Sequence, residues 1–174
     1  MEEELEALNG SGEERGTSIH RKIRHVLTET RVVLPGAQAL LGFQLIITFT
    51  KTFQEIPALS KLVHTLSLGT MAVAIVLLMA PAAYHRLVYG GDDTEDMHRT
   101  GSNMITIATL PLALGIAGDV YVTIAQVAGS PIIGLVSALL ALAMLIGLWH
   151  VYPMIVRARL SPAVRRRQAE HKSA

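Results

Sequence analysis

The sequence predicts an all-α integral membrane protein: a four-helix bundle preceded by a short interfacial amphipathic helix. Three observations predict it. Of the 174 residues, 51% are hydrophobic and only 17% charged, whereas a soluble domain carries about a quarter charged. The charges gather in blocks separated by four nearly charge-free runs: "VVLPGAQALLGFQLIITFT", "LVHTLSLGTMAVAIVLLMAPAAY", "MITIATLPLALGIAGDVYVTIAQVAG" and "PIIGLVSALLALAMLIGLWHVYPMIV". A helix crossing roughly 30 Å of hydrocarbon needs about 20 apolar residues, and each run is near or above that. Lastly, every basic residue except Lys51 and Lys61 lies before the first run, between the second and third, or after the fourth. Basic loops stay cytoplasmic, so four spans place both termini in the cytoplasm.

The opening "MEEELEALNGSGEE" is acidic. It lacks the basic start of a secretory leader and predicts no cleavable signal. Residues 1–18 read as a disordered acidic N-terminus. Over residues 19–31, Ile19, Ile23, Val26 and Leu27 fall at helical spacing among His20, Arg21, Lys22, Arg24 and His25. That pattern predicts a basic helix lying on anionic headgroups of the inner leaflet; a plain solvated helix is the alternative. The membrane domain covers 32–156, with spans expected at about 32–53, 60–86, 103–127 and 131–156. Pro35 suits the first turn of span one, where its missing N–H costs nothing, and Ser60 suits the N-cap of span two. Tyr84 and Tyr89 read as interfacial anchors. In "DDTEDMHRTGS", Asp92 and Glu95 fit a capping box ahead of span three; calcium-loop spacing is missing there. Gly129 is expected to end span three, with Ser130 capping span four and Pro131 as its first residue. So short a link makes these spans antiparallel neighbours. Small residues mark their contact faces: Ala113, Gly115, Ala117 and Gly118, then Gly134, Ala138 and Ala141. Residues 157–174 form a basic cytoplasmic tail.

The residue that asks for an explanation is Asp119, within "LGIAGDVYVT". It falls about 5 Å outward of its span's midpoint at the helical rise. A charged aspartate at mid-membrane costs about 3 kcal/mol on insertion scales, so it faces protein or water and not lipid. Gln44 and Thr48 on span one, Thr123 on span three and Ser137 on span four lie at matching depth, with Ser67 and Thr70 on span two. None is cationic, and Lys51 is the nearest candidate counter-ion. Such a group is what a proton or cation path requires. The competing reading is a protonated Asp119 joining helices through one hydrogen bond to Gln44 or Thr48.

A second polar group falls on the cytoplasmic half: Gln38, Tyr84, His85, Arg86 and His150. The histidines read as a pH-sensitive element, because imidazole titrates near neutrality. Four prolines, Pro35, Pro81, Pro111 and Pro153, sit in the inner halves of the spans. Each of the last three removes a backbone hydrogen bond, which suggests helix breaks lining an inner vestibule, with packing kinks as the alternative. Haem between His85 and His150 is disfavoured, since those residues differ in depth by about two turns and His64 is at the opposite face. No cofactor is expected. With no cysteine and no serine or zinc constellation, neither thiolate metal sites nor hydrolytic chemistry is expected, and the chain reads as a non-enzyme.

The segments "RVVLPGAQALLGFQL" and "LLMAPAAYHRLVY", the latter containing "APAAYHR", resemble a family of small bacterial inner-membrane proteins known only as a domain of unknown function. The resemblance covers residues 31 to about 89 and extends onward mainly by hydropathy. It implies a bacterial inner-membrane location and a four-span fold, and it lends no functional residues. The expectation is a homo-oligomeric channel or transporter for protons or small cations, in contact with lipid and anionic headgroups and not with nucleic acid. The alternative is a non-transporting membrane subunit or scaffold that docks a partner through its basic cytoplasmic segments.

Overall fold

A computed structural model describes residues 28, 32–88 and 94–159. The expected disordered N-terminus, the interfacial helix apart from Thr28, and the tail beyond Arg159 lie outside the described residues. Within them the chain is all-helical: α1 over Val32–Thr48, α2 over Lys51–Glu55, α3 over Ala58–Val88, α4 over Glu95–Ala128 and α5 from Pro131. α5 passes through a π-helical turn at Gly147–Val151 and continues as α-helix to residue 159. α3, α4 and α5 are each long and apolar enough to cross a bilayer, and the chain is a membrane protein on that ground. α1 is apolar but shorter. At 1.5 Å per residue it reaches about 25 Å, a little less than the hydrocarbon thickness.

The helix ends follow from their local sequences, with three departures from expectation. The first helix stops at Thr48, and the span expected to reach about residue 53 does not. The amides of Phe49 and Thr50 fold back onto the carbonyls of Ile46 and Ile47, tightening the last turn, and Thr50 then caps α2 by accepting from the amide of Phe53. Ser60 does not cap α3. The helix starts two residues earlier, with the Pro57 carbonyl taking the first bond from Lys61 N–H, and Ser60 is buried inside it. Thr94 caps α4 through Met97 N–H at 3.2 Å. Thr94 fills the role expected of Asp92, which lies outside the described residues. The α4–α5 link has the expected chemistry. Gly129 adopts φ +62°, where a side chain is strained, Ser130 accepts from Ile133 N–H, and Pro131 opens α5.

α1, α3 and α4 share one seam. Along α3 the buried positions are Ser60, His64, Ser67, Met71, Ala74, Ile75, Leu78 and Pro81, a helical repeat of three and four. Ala37 of α1 and Ala108 and Leu112 of α4 complete the apolar part, with Leu34, Leu41 and Ile116 against it. The helices approach closely where side chains are small. A methyl group on Gly115 would stand 3.2 Å from Met71 Cε and 3.3 Å from the Ser67 carbonyl, and Ser67 Oγ donates to the Gly115 carbonyl at 3.0 Å. α5 meets α4 at Gly134, where an added methyl would lie 2.9 Å from the Tyr121 carbonyl. α3 and α4 run unbroken through Pro81 and Pro111, so the breaks expected there do not occur. Each ring removes one bond in a long ladder, and Pro81 is wholly buried against its neighbours. Only near Pro153 does the winding change: the π turn precedes it, and Tyr152 N–H reaches back to the Gly147 carbonyl.

Candidate functional site: a carboxylate over a polar seam

At one end the seam turns polar. On α1, Gln44 and Thr48 continue the face begun by Ala37 and Leu41. On α4, Asp119 continues Ala108, Leu112 and Gly115. On α3, His64 and Ser67 continue Met71. These buried or half-buried polar groups lie toward the end of each helix nearest α2, and there they meet. Gln44 Nε2 donates to both carboxylate oxygens of Asp119 at 2.7 Å. Thr48 Oγ1 donates to the Gln44 carbonyl at 2.9 Å. His64 Nε2 lies 3.1 Å from that carbonyl and 3.2 Å from Thr48 Oγ1. A carbonyl only accepts, and the threonine hydrogen is already committed to it. His64 therefore carries its proton on Nε2 and donates to both oxygens.

Two features separate this cluster from an ordinary buried network. Gln44 is 3% exposed, yet its Oε1 has no hydrogen-bond partner, a state that is costly in a protein interior. The cluster also opens onto a cavity of about 320 Å³. Gln44, His64 and Asp119 contribute its polar floor, and Thr50, Thr52, Thr123 and Gln126 add polar groups. Leu40, Phe43, Ile47, Phe53, Ile56 and Val122 supply apolar walls. The α1–α3 connection forms one side, with Ile56 buried and the Phe53 ring 4.9 Å from that of His64. Among the described residues no lysine or arginine bonds Asp119. Lys61 donates to the Gln54 carbonyl at 2.7 Å and ties α2 to α3.

Of the residues expected to act with Asp119, Gln44 holds it directly and Thr48 stands one bond behind. Thr123 lines the cavity, whereas Ser137 on α5 is half-buried and does not line it. His64, which the sequence places at the face opposite His85 and His150, belongs to this cluster. Its signal was its place four residues after Ser60 and three before Ser67, on the stripe that α3 buries.

The second expected group lies on α1, α3 and the π turn of α5. Gln38 and Arg86 are exposed, and Tyr84 and His85 half-buried. His150, inside the π turn, meets Thr109 on α4 at 2.9 Å. Thr109 Oγ1 donates to the Thr106 carbonyl at 2.6 Å, so His150 Nε2–H is the donor between them. Thr109 was not foreseen as its partner.

Fold and site together define a helical membrane protein that keeps a lone carboxylate, held by an amide, beside a small cavity. The chain belongs to the family of unknown function DUF6328, whose model matches residues 12–153. No curated protein and no solved structure matches the chain.

Proposed function

We propose that the protein passes protons or small cations across the bacterial inner membrane, with Asp119 as the group that binds them. In this reading α1 is the fourth span, both termini are cytoplasmic, and the α1–α3 connection bearing Lys51, with Lys61 in the first turn of α3, faces outward. Asp119 and its cavity then lie toward the outer side. The observation that carries the proposal is the pairing of Asp119. Its carboxylate accepts from one neutral amide, lines a cavity and is bonded by no lysine or arginine among the described residues. A purely structural acid is better served by a full set of donors, since a half-satisfied buried charge destabilises the fold.

Inward of the site, Met71, Ala74, Leu78, Ala108 and Leu112 fill the seam, so a route straight through one subunit is closed in this conformation. This supports a path between subunits of a homo-oligomer, or a conformation in which the helices separate. α5 buries 11% of its most apolar window, against 33% for α3 and α4, which leaves it a broad apolar face for lipid or another subunit.

The test is flux in proteoliposomes. Wild-type protein should carry an inward proton or monovalent-cation current that Asp119→Asn lowers by at least about tenfold, the scale of one charge-assisted hydrogen bond. Helix content and elution volume should be unchanged. Wild-type vesicles no leakier than empty ones would defeat the proposal.

A further inference from the structure

The Asp119 cavity has a shape and lining that a bare metal ion or a proton does not need. Hard cations recruit six or more oxygen ligands at short range. Here one carboxylate lines the cavity, and the walls are largely hydrocarbon, with phenyl rings from Phe43 and Phe53. A cavity of about 320 Å³ is at the lower end of small-molecule sites. With a water occupying about 30 Å³, it would remain mostly empty around a single dehydrated ion.

Resting on the reading of Asp119 as a cation-binding group, we infer that this cavity binds a lipophilic organic ammonium ion, and that the bound species is a protonated amine with N–H groups to donate. The ammonium donates to the Asp119 carboxylate, which Gln44 Nε2 already holds. The hydrocarbon part occupies the apolar walls, to which Phe43 and Phe53 contribute their rings, and an aromatic ring beside the ammonium adds a cation–π attraction. Hydrogen-bond donors separate this ligand from a quaternary ammonium of equal charge, which cannot hydrogen-bond the carboxylate. His64 limits the site from behind. Its Nε2–H is engaged by Thr48 and the Gln44 carbonyl, so it holds the Gln44 backbone in place and leaves the carboxylate to the ligand.

The experiment measures binding of benzylammonium, benzyltrimethylammonium and sodium to the full chain in lipid nanodiscs by isothermal titration, alongside the flux assay. The expected result is saturable benzylammonium binding, at least about tenfold weaker in Asp119→Asn and about fivefold weaker in Phe53→Leu, which keeps an apolar wall and removes the ring. Benzyltrimethylammonium should bind at least about fivefold more weakly than benzylammonium, given the lost donors, and sodium should not compete. Phe53→Leu guards against misfolding of the charge variant, because a folded protein with unchanged affinity at that position overturns the inference. Asp119-dependent flux without benzylammonium binding, or with sodium competing at equal affinity, overturns the organic ligand and leaves the transport proposal standing. Absence of both flux and binding overturns both.

Discussion

Two hollows flank the same stretch of α4, and they differ in chemistry more than in size. One, of about 320 Å³, opens between α1, α3 and α4 and has Asp119, Gln44 and His64 in its lining. The other, of about 440 Å³, lies on the α5 side and is lined by aliphatic residues such as Leu59, Val63, Leu114, Leu135 and Leu139, with Ala117 and Tyr121. Ala117 and Asp119 are two residues apart, and a helix turns about 100° per residue, so the two side chains leave α4 in nearly opposite directions. Depth is shared; surroundings are not. A carboxylate is tolerated on the side where α1 presents an amide at 2.7 Å. On the other side the one polar side chain in the lining is that of Tyr121, and no side-chain amide is present. The comparison shows that Asp119 has a place prepared by a second helix and is not a stray charge at a convenient depth.

The strongest way to break that comparison is to put an acid in the unprepared hollow. Ala117→Asp should cost about 3 kcal/mol, the insertion penalty for an aspartate at the middle of a span. It should appear as a sharp loss of folded protein recovered from membranes, while Asp119→Asn is recovered at wild-type yield. The reverse experiment makes the prepared hollow resemble the other one. Gln44→Leu removes the amide and leaves the half-buried carboxylate without its donor, a loss of about 2 kcal/mol readable as a lowered melting midpoint in detergent. Combining it with Asp119→Leu should restore most of that loss, since a matched apolar pair has no orphaned group. A double variant as unstable as Gln44→Leu alone would show that the amide matters for something besides Asp119.

A third substitution tests whether the α4–α5 contact is as tight as the two hollows require. A methyl on Gly134 would lie 2.7 Å from Ala125 Cβ and 2.9 Å from the Tyr121 carbonyl. Backbone cannot yield as a side chain does, so Gly134→Ala must part the helices. The expected cost is about 1.5 kcal/mol of overpacking, against no measurable change for Gly147→Ala, where an added methyl meets nothing within 4 Å.

Much of this architecture was legible because bilayer physics writes it in long strokes. Three runs became helices that can cross a membrane, and Gly129-Ser130-Pro131 fixed a turn whose residue types admit little else. Asp119 stood out because charge in hydrocarbon needs a reason, and Gln44 was found by matching depth. The misses share a cause as well. Thr48 ended α1 early through local backbone bonds, and hydropathy continued past it to Phe49 and Phe53. His64 looked interfacial because a span's start was placed at Ser60, and a two-residue error in a boundary moves a side chain between surface and seam. Four prolines taken together suggest breaks, whereas long helices packed in protein keep their ladder around a single gap. No depth argument could show that Thr109 would meet His150, because the π turn that carries His150 alters the phase of the helix.

The smallest predicted effects come from a motif that the two ends of the molecule share. At each end a histidine Nε2–H donates to a threonine whose own hydrogen is committed to a carbonyl: His64 to Thr48, and His150 to Thr109. At Thr109 the hydroxyl is the acceptor shown for His150, so Thr109→Val strips that donor of its partner and should cost about 1 kcal/mol. At Thr48 the histidine keeps a second acceptor, the Gln44 carbonyl at 3.1 Å. Thr48→Val should therefore cost only about 0.5 kcal/mol, the low end for a hydrogen bond whose donor remains satisfied. Paired melting curves in one detergent decide the matter. If Thr48→Val proves the more damaging, its hydroxyl does more than accept a redundant bond. The carbonyl of Gln44 would then depend on Thr48 for its position, and the hold on Asp119 would extend one residue further along α1 than the distances alone indicate.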